Sequence, residues 1–430
     1  MIERELHKRL LELALWFPIV AVTGPRQSGK TTLVRAAFPS YTYVNLEDPR
    51  LRSEAREDPM GFLENRPKRL IIDEAQHAPE IFSALQLKAD ESPENGQYVI
   101  SGSQNFALLQ AVKQSLAGRV GMLRLLPFSY AELENTALAA GVTSNARERE
   151  AESAPPSPIA HAAPAPGMPP APSPIATPAP SPINSFMLLG GYPRLRVTRM
   201  DPAAFFDSYI ETYLERDVAG LLEVRNIASY RKVLKLLAHN AGNLLNYARL
   251  ASDAGVAVNT VRAWVGMLES SYMIFTLQPY FANIRKRLTK TPKVYFYDVG
   301  LLCFLLGIRT IEELVASEYR GAIFENMVIA ETLKHHHNLG RRPEAYFYRD
   351  DSKREVDLLD FTFARQPRIA EIKASTMYHH RYSRWLNGVA AEIAVPSEAR
   401  FVILQGGVAR KVDGVQVVPA PQWLSREYLG

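Results

Sequence analysis

Over the first 140 residues the chain alternates two hydrophobic rhythms. Short apolar runs, Phe17 to Thr23, Tyr41 to Asn45, Arg69 to Glu74 and Tyr98 to Gln104, the last two ending in polar residues, are set off by turn residues, the pattern of strands buried on both faces. Between them lie helical stretches, an amphipathic N-terminal segment that carries Glu3 and Glu5, and Thr32 to Ala37. Strands interleaved with helices predict an α/β domain built on a parallel sheet.

From Gly141 to Asn184 both rhythms stop, and the chain becomes Ala, Pro and Ser with almost no large apolar residue. Such a stretch cannot bury enough surface to offset the entropy of ordering, so residues 141–184 read as a disordered or polyproline-II insert. Helical periodicity returns at Pro202 to Leu222 and Ser229 to Ala241. It is followed by a short helix from Tyr247, a turn at Gly255, and a helix Thr260 to Ser270 with Asn259 as its cap. This pair predicts a helix-turn-helix, and Thr276 to Tyr280 supplies the first strand of a wing. The last stretch reads as a helix (Arg320 to His335), strands Glu344 to Tyr348, Glu355 to Phe361 and Arg368 to Ala374, a helix from Tyr382, and strands Phe401 to Leu404 and Val415 to Val418. The predicted segments are 1–140, the α/β domain; 141–184, the insert; 185–300, a helical lid with a winged-helix-like module; and 301–430, a second α/β module.

Composition narrows the class. At 430 residues the chain exceeds a single core, and roughly two to four domains are expected. Hydrophobic content of 47% supports real cores. A net charge of +5 permits contact with nucleic acid without demanding it. One cysteine, Cys303, excludes an intramolecular disulfide, no apolar run approaches the roughly 20 residues of a membrane span, and cytoplasm is the default location.

The chemistry starts at Gly24-Pro25-Arg26-Gln27-Ser28-Gly29-Lys30-Thr31, followed by Thr32. It matches G-x-x-x-x-G-K-[ST] between a strand and a helix, a loop whose backbone N–H groups cradle phosphates. Lys30 is the residue for the β- and γ-phosphates and Thr31 for Mg²⁺. The apolar run ending at Asp73-Glu74 is the expected partner, with Asp73 on Mg²⁺ and Glu74 polarising the attacking water. Tyr98 to Gln104 ends a further strand where Ser103 or Gln104 is placed to sense the γ-phosphate, or else to cap the next helix. Arg119 is a candidate for stabilising transition-state charge in its own site or a neighbour's, whereas Arg216 on a lid helix reads first as a member of an intrahelical ion pair. The implied cofactors are ATP and Mg²⁺.

Two features point to nucleic acid. Arg285, Lys286, Arg287, Lys290 and Lys293 crowd after the wing strand, where they would lie along phosphates. Glu355-Val356-Asp357 and, fourteen residues after Asp357, Glu371-Ile372-Lys373 resemble the PD-(D/E)xK nuclease signature. There carboxylates hold divalent metal and the lysine steadies water or phosphate. Alternation along a strand puts Glu371 and Lys373 on one face, and Glu325 on the preceding helix would complete the set. Consecutive histidines at 335–337 point in different directions and read as a surface helix end, not a metal site.

The phosphate loop, Ile72-Asp73-Glu74-Ala75-Gln76, Ser101-Gly102-Ser103 and Ser115-Leu116-Ala117-Gly118-Arg119 together resemble the prokaryotic AAA-type ATPases of the archaeal-ATPase kind. The resemblance continues through Gly190-Gly191-Tyr192-Pro193, Tyr213 to Asp217 and Lys293 to Leu301, across nearly the whole chain. It implies an AAA-like nucleotide-binding core followed by a C-terminal region whose function the family leaves open. The partners it leaves in play are ATP, DNA or RNA, and a protein, with the oligomeric state open. An ATP-switched scaffold with an inactive nuclease-like domain is the alternative to an ATPase coupled to nucleic acid.

Overall fold

The computed structural model describes residues 2–103, 116–136, 181–198, 200–213, 227–281 and 291–425. Gln104, Arg216, Arg285, Lys286, Arg287, Lys290 and the insert up to residue 180 lie outside the described residues. The helix α6 (Pro182–Leu189) begins inside the stretch assigned to the insert, where Pro182 takes a first-turn position that needs no N–H.

The N-terminal strands β1 (Ile19–Thr23), β2 (Thr42–Asn45), β3 (Leu70–Asp73), β4 (Tyr98–Gly102) and β5 (Val120–Arg124) form one parallel sheet in the order β2-β3-β4-β1-β5. Its two faces are covered by different helices, as the continuous apolar strands require. Ile19, Ala21, Ile72 and Ile100 pack with α4 (Pro59–Glu64) and α5 (Ile81–Glu91). Val20, Val22, Ile71 and Val99 pack with α1 (Leu6–Trp16) and α2 (Lys30–Ala37). The α3 helix (Pro49–Glu57) starts at the predicted turn because the Asp48 side chain accepts from the Arg50 N–H, with Pro49 behind it.

The second half shares one large core. Helices α7 (Pro193–Thr198), α8 (Pro202–Tyr213) and α9 (Ile227–His239) lead into α10 (Tyr247–Ala254) and α11 (Val258–Ser270). Asn246 caps α10, and Gly255 closes it at φ 70°, a left-handed conformation that glycine adopts without strain. Asn259 is no cap, since α11 already starts at Val258 with Ala257 before it. Strands β6 (Ile274–Pro279) and β7 (Lys293–Phe296) pair antiparallel. After α12 (Val299–Leu305) and α13 (Ile311–Ala316) comes the long α14 (Arg320–Asn338), followed by β8 (Ala345–Arg349), β9 (Glu355–Asp360), β10 (Arg368–Lys373), α15 (Arg381–Glu392), β11 (Arg400–Leu404), β12 (Arg410–Val412), β13 (Val415–Pro419) and α16 (Ala420–Leu424).

These strands make one sheet of order β12-β13-β11-β10-β9-β8-β6-β7. The β8, β9 and β10 strands form an antiparallel meander, and β11 lies parallel to β10. Phe324, Met327 and Val328 of α14 share the large core with Leu358, Ile372 and Ile403, while α15 packs Leu386 and Val389 on Val356, Ile369 and Val402. Because α14 also touches the N-terminal domain, it is buried nearly all round. His335, His336 and His337 are buried too, which corrects the surface reading. Among the described residues no helix is long and apolar enough to cross a membrane.

Candidate nucleotide site and carboxylate cluster

The phosphate loop leaves β1 at its carboxyl end, between β4 and β5, the edge at which parallel α/β sheets bind ligands. Only glycine fits position 24, because an added Cβ would lie 2.0 Å from the Leu125 carbonyl oxygen. Gly29 (φ 92°) and Gln27 (φ 59°) take left-handed conformations that turn the loop into α2. Lys30 lies along the inside of the loop, its Nζ donating to the carbonyls of Gly24 at 3.1 Å and Pro25 at 2.8 Å. Thr31 Oγ1 donates to Asp73 Oδ2 at 2.5 Å, so the hydroxyl and carboxylate predicted for Mg²⁺ converge. Such hard oxygen donors suit Mg²⁺, and the buried Ser28 Oγ has no partner inside the loop.

Tyr43 and Ser101, which the sequence assigns no role at the site, donate to Asp73 from β2 and β4 at 2.9 and 2.5 Å. Burial and the Asp73 charge push the Tyr43 phenol far above its usual range, so it remains a donor. Glu74 sits at φ 53°, a strained backbone for a non-glycine residue and a frequent mark of a functional position. Its Oε2 accepts from Gln76 Nε2 at 2.5 Å and from Ser103 Oγ at 3.3 Å. Ser103 therefore orients the candidate base at the sheet edge.

Arg119 lies elsewhere. It precedes β5, at the amino end of the sheet, and its guanidinium pairs with Asp90 at 2.5 and 2.9 Å. A role in its own chain's phosphate site is excluded by that distance of a full strand. Arg194 faces the loop instead. A cleft of about 600 Å³ is lined by Arg26, Lys30, Thr31 and Glu74 on one side and by Arg194, Tyr209 and Thr212 of α7 and α8 on the other. The signal for Arg194 was its place directly after the Gly190 to Pro193 motif.

The C-terminal candidates also meet. Lys373 Nζ lies 2.7 Å from Glu371 Oε1 and 3.1 Å from Asp357 Oδ2, confirming that 371 and 373 share a face. Asp357 Oδ2 also accepts from the Ile372 N–H at 2.7 Å. Glu325 accepts from Tyr295 Oη at 2.6 Å and pairs with Lys293 at 3.3 Å, and Lys293 reaches Glu355 at 2.6 Å. Burial, then the Asp357 charge, pushes Glu371 up to about 8 and Glu325 up to about 6. Burial works against the Lys293 ammonium, but Glu325, Asp357 and Glu355 outweigh it and raise its pKa. Lys293 is thus no part of a solvent-facing phosphate rail.

The buried Glu371 Oε2 has no partner, which alone would suit a cation. Yet among the described residues no three His, Cys, Asp or Glu side chains stand together to hold a metal ion. The metal reading of Glu325, Asp357 and Glu371 does not fit this arrangement, because ammonium groups already take the facing oxygens.

His337 yields a pH prediction. Burial, then the positive Arg124, pushes its imidazole down to about 3. Below pH 6.5 the unfolded chain binds a proton that the folded chain refuses, so this contribution is complete above pH 6.5 and is lost as the pH falls toward 3. Urea titrations at pH 7, 6 and 5 are expected to show stability falling by up to about 1.4 kcal/mol per pH unit from this group, and His337→Gln to flatten the slope.

Similarity to known proteins falls into segments. The AAA domain matches residues 17–134, while "Domain of unknown function (DUF8612)" matches 182–312 and "Domain of unknown function (DUF4143)" matches 320–423. Two proteins described as uncharacterized, one of Mycobacterium bovis and one of Mycobacterium tuberculosis, are each 31% identical over 415 residues, spanning 95% of this chain and 81% of theirs. Among solved structures, a Walker-type ATPase of Pyrococcus abyssi aligns over 71% of this chain and 96% of its own at 16% identity and a TM-score of 0.42. The ORC2 protein of Aeropyrum pernix in its ADP form aligns over 73% and 93% at 13% identity and a TM-score of 0.31.

Proposed function

The chain belongs to one family with the two uncharacterized mycobacterial proteins and carries an AAA domain over residues 17–134, and from that premise we propose that it hydrolyses MgATP and uses the cycle to control a nucleic-acid-binding C-terminal half. The convergence of Thr31, Asp73 and Glu74 beside the Lys30 loop carries the first part. When bound, MgATP supplies the phosphoanhydride and a cation that offsets charge at the γ-phosphate. Lys30 and the loop N–H groups would hold the phosphates, Thr31 and Asp73 the Mg²⁺. Glu74, held by Gln76 and Ser103, would polarise a water. Arg194 adds a positive charge from the lid, and Arg194→Ala is expected to weaken ATP binding about tenfold in equilibrium titration, a loss in the range of one charge-assisted hydrogen bond.

Support for nucleic acid is geometric. Helices α9 to α11 followed by the β6–β7 hairpin have the order of a winged helix, and α14-β8-β9-β10-α15-β11 has the order and strand directions of PD-(D/E)xK folds. Neutralising Arg285, Lys286 and Arg287 is expected to reduce the salt dependence of DNA binding by about three phosphate contacts. The decisive test of the joined function is an ATPase assay with and without single- and double-stranded DNA. Stimulation supports it; a rate indifferent to both, with no salt-dependent binding, overturns the nucleic-acid half.

A further inference from the structure

Lys293 opens β7, on the strand pair that belongs to the winged-helix-like module, yet its side chain ends inside the carboxylate cluster of the nuclease-like module. It pairs in the sheet with Leu277 of β6, and its ammonium passes over the Phe347 ring, 5.4 Å from the ring centre, to lie between Glu325 of α14 and Glu355 of β9. Only 3% of that side chain is exposed. A lysine buried to this degree keeps its charge only when carboxylates surround it.

The charges in the cluster close around it. Four carboxylates, Glu325, Glu355, Asp357 and Glu371, face Lys293, Lys373 and Arg349, whose Nη1 is 3.2 Å from Glu355. Without Lys293 four carboxyl groups face only two cations, and a divalent cation would offset the excess of acidic groups. With it, three of the four are already matched. Lys373 belongs to the Glu371-Ile372-Lys373 signature, so its presence is compatible with metal chemistry. Lys293 lies outside that signature and is the residue that decides.

We propose that Lys293 is a built-in counter-ion standing where a divalent cation would otherwise be drawn, so that the cluster is neutralised from within and takes no metal. A cation approaching Glu325 meets an ammonium held at ion-pair distance by two carboxylates. Displacing that ammonium strips a buried charge of its partners. Tyr295 holds Glu325 on the same side, so the carboxylate cannot swing away without losing a second bond.

This inference rests on the nuclease-like reading of the module, and its test separates the two. Mn²⁺ binding to the full chain is measured by electron paramagnetic resonance without nucleotide, in an Asp73→Asn background that removes the ATPase cation ligand. The chain carrying Lys293 is expected to show no Mn²⁺ site sensitive to Glu371→Gln. Lys293→Met is expected to gain one, with affinity raised at least about tenfold by removal of the nearby positive charge, and to lose it again on adding Glu371→Gln. If Lys293→Met does not fold, Lys293→Met with Glu355→Gln leaves fewer unpaired charges and serves in its place. An Mn²⁺ site already present with Lys293 and abolished by Glu371→Gln overturns the proposal, as does a folded Lys293→Met chain with no gain. Salt-dependent DNA binding, measured separately on the unaltered chain, tests the nucleic-acid reading and is indifferent to this outcome.

Discussion

A Glu74→Gln chain is expected to bind ATP with near-native affinity and to hydrolyse it about a thousandfold more slowly, the middle of the range for loss of a general base. The substitution keeps the shape of the side chain and an oxygen that accepts from Gln76 and Ser103, and Gln can occupy the strained φ 53° backbone no worse than Glu. What it removes is the negative charge that draws a proton from water. Lys30→Ala acts one step earlier. The loop would lose the ammonium that now bonds to the Gly24 and Pro25 carbonyls, and nucleotide binding should fall below detection together with turnover. Steady-state ATPase rates paired with equilibrium nucleotide binding separate the two patterns. A Glu74→Gln chain that turns over at the native rate would remove Glu74 from the mechanism.

These residues were legible because their chemistry is local in sequence. Eight loop positions in register and a strand ending in Asp73-Glu74 specify the site before any fold is known. What stayed hidden depends on pairing between distant segments. In sequence Arg119 stands as a candidate for transition-state charge, but only the parallel register of β1 with β5 shows that it sits at the far end of the sheet, beside Asp90. Lys293 reads as one of five cations within residues 285–293 until β7 pairs with β6 and carries it to Glu325 and Glu355. The three histidines look like a helix end until α14 is seen enclosed on both sides. The partners of Asp73 are hidden for the same reason, since Tyr43 and Ser101 reach it across three strands. Periodicity tells which face is apolar; it does not tell what covers the opposite face.

Arg4→Met is expected to cost about 3–5 kcal/mol of stability, the penalty for leaving a buried carboxylate without its partner. In the sequence Arg4 is one basic residue of an amphipathic N-terminus. In the fold its Nε meets Glu132 Oε1 at 3.0 Å, with side-chain exposures of 8% and 0%. Its two other nitrogens donate to the carbonyls of Ser28, in the phosphate loop, and Leu126. Glu132 accepts in addition from the backbone of Glu5 and Ser129. One residue further on, the Tyr130 N–H donates to Glu331 of α14, whose partner Lys334 donates to the Phe128 carbonyl. The segment 126–132 is therefore gripped from both sides, by the phosphate loop through Arg4 and by the helix that also bears Glu325. Chemical denaturation of Arg4→Met, Glu132→Leu and the double variant isolates the pair: the double should be more stable than the sum of the singles by more than about 1 kcal/mol, because it removes the orphaned carboxylate along with the arginine. ATP titration then distinguishes packing from communication. If Arg4 also shapes the loop, Arg4→Met weakens nucleotide binding in chains that are still fully folded, and Glu331→Ala, which leaves the loop contact intact, does so to a smaller degree through the same segment. Unchanged affinity in both variants would confine the network to stability and sever it from any ATP-driven signal to α14.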